Sequence, residues 1–121
     1  DAILMLAECH ARSISADLSK ATDYMNMTRQ RAGLNPIPVD TYQDPEEFMT
    51  ELRAERAREL AGELHRKYDL VRWDMWYTAV TTYSDFSKLK NNIRECHEYY
   101  PIPDTECSLS NYVLTNFAYN E

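Results

Sequence analysis

Apolar and small residues recur at spacings of three and four from the start of the chain. Ile3, Leu6, Ala7, His10, Ala11 and Ile14 fall on one face of a helix predicted over residues 2–14. Asp17 is a suitable N-cap for the next helix, whose pattern is Leu18, Ala21, Met25, Thr28 and Ala32. Gly33 suits the C′ position just past its end, and Asn35-Pro36 prevents continuation. Residues 1–33 therefore read as an αα-hairpin. The hairpin has the size of a tetratricopeptide unit, although only Ala7, Ala21 and Met25 loosely meet that repeat's signature.

Residues 34–44, with Pro36 and Pro38, read as a loop. Asp44-Pro45-Glu46-Glu47 is a strong helix start: an acidic cap, proline at the first helical position and a capping-box glutamate. That helix is expected to reach at least Leu60, with a break at Gly62. A further helix is predicted from His65 to about Val80, its stripe formed by Leu64, Tyr68, Val71, Met75 and Ala79. Residues 81–98 are polar, with one short helix expected around Ser84–Asn91. Pro101-Ile102-Pro103 forces an extended stretch, because proline fixes φ and restrains the residue before it. The tail from Tyr99 to Glu121 is expected to be irregular, anchored by Tyr112, Phe117 and Tyr119.

The predicted class is thus all-α: a tetratricopeptide-like hairpin (1–33), further packed helices (45–80) and an extended tail (99–121), in one region spanning 1–121. Asp1 leads straight into the apolar run Ala2-Ile3-Leu4-Met5-Leu6-Ala7, so the first helix would begin almost uncapped. This start suggests a fragment of a larger helical protein.

Composition narrows the options. With two glycines in 121 residues, the many tight turns of a β-sandwich or barrel are not supplied. A formal net charge of −7 repels phosphate backbones and argues against a nucleic-acid partner. Cys9, Cys96 and Cys107 are odd in number and lack C-x-x-C spacing, so no disulfide framework is implied, and pairing of Cys96 with Cys107 stays open. No apolar run approaches the roughly 18 residues that span a bilayer.

The densest chemistry lies between Glu55 and Trp73, where acids and bases alternate at helical spacing. Glu55, Arg56, Glu59, Glu63, Arg66, Asp69 and Arg72 are predicted to form a structural ion network. Glu55, Glu59 and Glu63 lie a turn apart near His65, and paired carboxylates can do acid–base work on a glycosidic bond. The surrounding cations lower carboxylate pKa values, whereas a general acid needs the opposite shift. No catalytic residue and no cofactor is expected. Cys9-His10 and Cys96-His97 are adjacent pairs whose side chains would diverge by about 100° on a helix, so no metal site is expected either. Trp76, Tyr77 and Tyr83 are candidate glycan-binding residues, since flat rings cover the apolar face of a pyranose. Against that stands the ordinary fate of Trp73 and Trp76 as core residues.

The same segment resembles the C-terminal part of the SusD/RagB family. Its late motif reads approximately E-R-x-x-E-L-x-x-E-G-x-R-x-x-D-L-x-R-W. Glu55, Arg56, Glu59, Leu60, Glu63, Arg66, Asp69, Leu70, Arg72 and Trp73 match it in register, with Leu64 replacing the glycine. The opening Asp1-Ala2-Ile3-Leu4-Met5-Leu6-Ala7-Glu8 is similar to the family's R-Y-A-D-x-L-L-x-x-A-E-A helix. Met27-Thr28-Arg29-Gln30-Arg31-Ala32-Gly33-Leu34 is similar to N-x-V-R-x-R-A-G-L, and Tyr100-Pro101-Ile102-Pro103 with Glu106 resembles L-P-I-P-x-x-E. The family's closing N-P-x-L-x-Q-N-P-G-Y is degraded here to residues 111–119.

The resemblance implies a surface-exposed outer-membrane lipoprotein that captures a glycan or other nutrient without catalysis. It would pass the nutrient to a SusC-like, TonB-dependent transporter, and the lipid anchor would lie outside this sequence. The motif segment would be structural, and no ligand-contacting residue carries over by motif. The alternative is a helical protein–protein interaction module without a small-molecule ligand.

Overall fold

The computed structural model describes residues 1–119, and these form two compact units, Asp1–Arg66 and a second beginning at Lys67. Among the described residues every regular element is helical.

In the first unit, α1 (Ala2–Arg12) and α2 (Leu18–Arg31) are the arms of the predicted hairpin, and α3 (Pro45–Glu59) packs on both. The buried face of α1 keeps Ala7 and Ala11 of the expected one but is rotated away from its larger residues. Leu4, Ala7, Glu8 and Ala11 are buried, whereas Ile3, Met5, Leu6 and Ile14 are exposed. Both sets have helical spacing, so periodicity alone could not choose between them. The chosen face carries the small residues. Ala7, Ala11 and Ala21 are essentially inaccessible, and side chains of that size let α1 and α2 approach closely. Glu8 is accepted on that face because Arg12, one turn on, lies 3.3 Å from it. Ile14 falls outside α1, which stops at Arg12.

The loops are fixed by specific bonds. Asp17 caps α2 by accepting from Lys20 N–H at 3.0 Å. At the other end, Gly33 (φ 76°) donates to the Gln30 carbonyl and Leu34 to that of Arg29, the paired bonds of a Schellman stop. The following Pro-rich loop is held back on α2 by Asn26. Its amide donates to the Ile37 carbonyl at 2.7 Å, and its oxygen accepts from Ile37 N–H at 2.8 Å. Asp44 caps α3 through both Glu46 and Glu47 N–H, with Pro45 at the first position. Phe48, Met49 and Leu52 of α3 complete a core with Leu4 and Met25. Tyr42 meets the Phe48 ring edge-on at 5.4 Å.

The helix predicted from His65 to Val80 is instead two: α4 (Arg66–Arg72) and α5 (Trp76–Tyr83). Asp74 takes a left-handed conformation (φ 55°), its N–H donating to Val71 at 3.0 Å and that of Met75 to Leu70 at 2.8 Å. This is another Schellman stop, here without glycine, and it resets the helical phase. The expected stripe is not the buried one: Asp69, Leu70, Trp73 and Trp76 are buried, while Leu64, which precedes α4, and Tyr68 are exposed. Residues 81–98 contain α6 (Ser87–Asn92) and a 3-10 turn at Glu95–Glu98.

The tail is less irregular than expected. After Pro103, α7 (Asp104–Leu109) forms with Asp104 and Glu106 in its first turn, favourable at a helix N-terminus. Only Cys107 of that helix is buried, so no apolar period advertised it. Asn116 then ties the tail to the extended Pro segment, accepting from Ile102 N–H and donating to its carbonyl, both at 2.8 Å. A 3-10 turn at Phe117–Tyr119 ends the described residues. All three cysteines are free thiols: Cys9 exposed, Cys96 half-buried and Cys107 buried.

Candidate functional site

The charged segment divides between the two units. In the first, Glu55 is 3% exposed and sits at the centre of a cluster. Arg58 donates to its carboxylate at 2.7 Å, Arg29 of α2 at 3.4 Å, and the Thr28 hydroxyl at 3.4 Å. Glu51 extends the cluster, 2.6 Å from Arg58 and 3.9 Å from Arg29. The hydrogen bond that Arg58 donates to Glu55, joined by that to Glu51, pushes the Arg58 pKa above its ordinary value. Nearby, burial pushes the Tyr42 phenol up, with the Glu51 charge adding to it. Buried Arg56 donates to Asp1 at 2.7 Å, tying α3 to the start of α1. Glu59 accepts from Arg31 of α2. Glu63 lies beyond α3 in a turn, 4.0 Å from His65, and Arg66 reaches back to the Arg53 carbonyl at 3.2 Å.

In the second unit, Asp69 accepts from Arg72 Nε at 3.0 Å, and the Arg72 guanidinium lies 4.6 Å over the Trp73 ring. Several contributors to these clusters, Asp1, Thr28, Arg29, Arg31, Glu51 and Arg58, were absent from the sequence-based set. Arg29 and Arg58 stood in or beside the motif blocks, but nothing in their spacing said that α2 and α3 would bring them to one carboxylate. With one Glu55 oxygen shared by Arg29 and Arg58 and the other accepting from the Thr28 hydroxyl, the cluster can brace helices but offers no open carboxylate pair to a substrate. Among the described residues no group of three or more His, Cys, Asp and Glu side chains is arranged to hold a metal. Among the described residues no helix is long and apolar enough to cross a membrane.

The three aromatic candidates separate. Trp76 and Tyr77, at the start of α5, line a cleft of about 190 Å³ with Asp74, Thr78, Glu95 and Glu98. The Asp74 reversal aims the chain so that α5 begins at this cleft. Trp76 is 8% exposed and has little ring surface to offer, whereas Tyr77 is 37% exposed. Lys67 lies 5.4 Å over the Trp76 ring and 4.1 Å over that of Tyr100, and donates to the His97 carbonyl at 3.4 Å. Tyr83, at the far end of α5, is 80% exposed and does not line the cleft. Glu95 and Glu98 were not singled out from the sequence, because a 3-10 turn of this length leaves no periodic trace.

Two further hollows are present. One, of about 500 Å³, lies beside the hairpin loop, where Cys9, His10 and Lys20 line it. The other, of about 320 Å³, is formed by the tail around Tyr99, Tyr100 and Phe117.

Comparison with known proteins follows this geometry. The sequence profile of the SusD family matches residues 1–119. The chain belongs to the SusD family. A SusD-like protein of Formosa agariphila is 34% identical over 99% of this chain, and the SusD-family chain described here spans 23% of that relative's length. No solved structure matches it. Family membership agrees with the all-helical architecture and with the motif segment from Glu55 to Trp73.

Proposed function

We propose that this SusD-family chain serves in the non-catalytic capture of a nutrient, a glycan, at the bacterial outer membrane. The family match over residues 1–119 carries this reading. The cleft at the start of α5 is consistent with it: an accessible tyrosine ring beside carboxylates that accept hydrogen bonds is a common way to hold a hydroxyl-rich ring. The captured glycan is passed unchanged to a SusC-like, TonB-dependent transporter, and the protein resides on the cell surface as a lipoprotein. No bond is made or broken, so the chain needs only selective affinity and release.

Binding of an oligosaccharide array to the full-length protein tests the reading. Tyr77→Ala is expected to weaken the captured glycan about 3- to 10-fold, corresponding to roughly 0.5–1.5 kcal/mol for one aromatic contact. Failure to bind any oligosaccharide would remove the ligand class. Co-purification with soluble proteins alone, and not with an outer-membrane barrel, would favour an interaction module instead.

A further inference from the structure

The hollow in the tail has a chemistry unlike the cleft beside Tyr77. Tyr99, Tyr100, Phe117 and Tyr119 line it together with Thr115 and the Cys96 thiol, and no described residue lining it carries a charge. Its volume of about 320 Å³ lies at the lower end of small-molecule sites. Tyr99, Tyr100 and Phe117 are each about two-thirds exposed (67%, 69% and 68%), so much of their ring surface is accessible, although Lys67 lies over one face of Tyr100.

These rings do not stand on a loose tail. Asn116 makes two bonds to the Ile102 backbone, fixing the segment that carries Phe117 against the one that carries Tyr100. Arg94 donates to the Tyr119 carbonyl at 2.9 Å, His97 packs on the Tyr119 ring at 5.3 Å, and the Tyr119 hydroxyl donates to the Tyr99 carbonyl. Side chains that are exposed yet carried on a braced backbone lose little freedom when something binds, which favours affinity.

We propose that this cleft is a second binding site, for an uncharged hexopyranose. The proposal rests on glycan capture as the function. Aromatic faces cover the C–H side of such a ring, and the phenol and threonine hydroxyls that line the cleft serve its hydroxyls. An anionic sugar would lose hydration there without meeting a cation among the lining residues, and the neighbouring cations are engaged, Lys67 with the Tyr100 ring and the His97 carbonyl and Arg94 with the Tyr119 carbonyl, so the cleft favours uncharged sugars. A purely apolar ligand would leave the hydroxyls desolvated and unmatched.

Cys96 supplies the test, because its thiol lines the cleft while Cys9 is exposed elsewhere and Cys107 is buried. Iodoacetamide labelling of the full-length protein is followed by peptide mass spectrometry, with maltohexaose, cellohexaose or laminarihexaose as neutral probes and hexagalacturonate as the acidic one. Calorimetry on the same samples reports total binding. At least one neutral probe is expected to slow Cys96 labelling fivefold or more without changing Cys9, and hexagalacturonate to leave both rates unchanged. Phe117→Ala, at an exposed position, should cut the protection, and prior alkylation of Cys96 with N-ethylmaleimide should weaken the probe. A neutral probe that binds by calorimetry without slowing Cys96 overturns the second site and leaves glycan capture standing. So does a Cys96 thiol silent before any sugar is added, since the protein itself would then close the cleft. Equal protection by hexagalacturonate overturns the assignment to uncharged sugars. Absence of calorimetric binding by all three neutral probes overturns the proposal, and glycan capture falls separately only if the whole array is also blank.

Discussion

Asn26 and Ile37 are joined by a reciprocal pair of hydrogen bonds, side-chain amide to backbone, that presses the proline-rich loop onto α2. Replacing Asn26 by Leu preserves the volume and removes both partners from the Ile37 backbone. Each buried group left unpaired costs roughly 1–3 kcal/mol, so the variant is expected to lose about 2–4 kcal/mol in urea unfolding. A loss below about 0.5 kcal/mol would mean that water replaces the clamp.

Glu55 bridges Arg58 and Arg29 from a nearly inaccessible position on α3. Its removal in Glu55→Ala leaves two cations facing each other. The side chain of Arg29 is 17% exposed and that of Arg58 51%, so solvent relieves part of the repulsion. The expected loss is about 1–3 kcal/mol, below the 3–5 kcal/mol typical of a fully buried broken pair. Arg58→Ala, which leaves Arg29 on the carboxylate, is expected to cost less. Equal effects in chemical denaturation would show that the exposed arginine carries the bridge.

Asp17 caps α2, and the Lys20 N–H it accepts lowers its carboxyl pKa below 3.8. A carboxyl with a depressed folded pKa stabilises the fold above its unfolded value and loses that contribution as pH falls through the folded one. Thermal midpoints should therefore decline below pH 3.8 more steeply in the native protein than in Asp17→Asn. Parallel acid limbs for the two proteins would contradict the assignment.

Asp74 ends α4 with a positive φ that glycine adopts without steric cost. Relief of that strain and the added chain entropy of glycine nearly cancel, so Asp74→Gly should alter stability by no more than about 0.5 kcal/mol. A β-branched residue tolerates the conformation poorly, and Asp74→Val should cost about 1–2 kcal/mol or more. Thermal unfolding distinguishes the two. Similar losses in both would show that the Asp74 side chain, rather than its backbone, stops the helix.

Much of this architecture could be read from the chain, and the gaps have specific causes. The Gly33 stop and the Asp44-Pro45 start were legible because each uses a residue whose backbone preference is nearly unique to that position. The stop at Asp74 was not, since aspartate mid-pattern gives no such signal and the apolar spacing continued across it. The face of α1 was partly misjudged: Ala7 and Ala11 belong to both candidate stripes, and only contact with α2 and α3 selects Leu4 and Glu8 rather than Ile3 and Leu6 to flank them. For the charge cluster, sequence displayed the residues of one helix face but not the arginine that α2 contributes. Of the three aromatic candidates, Trp76 and Tyr77 line one cleft, whereas Tyr83, two helical turns away, does not, a separation that ring chemistry alone does not foretell.

The alanine face of α1 leaves Ile3, Met5 and Leu6 turned outward along one side of the hairpin. Handled by itself, a chain with that greasy seam behaves somewhat like a surfactant. It should be retained on phenyl-substituted resin, take up hydrophobic dye while fully folded, and form loose aggregates that a mild detergent disperses.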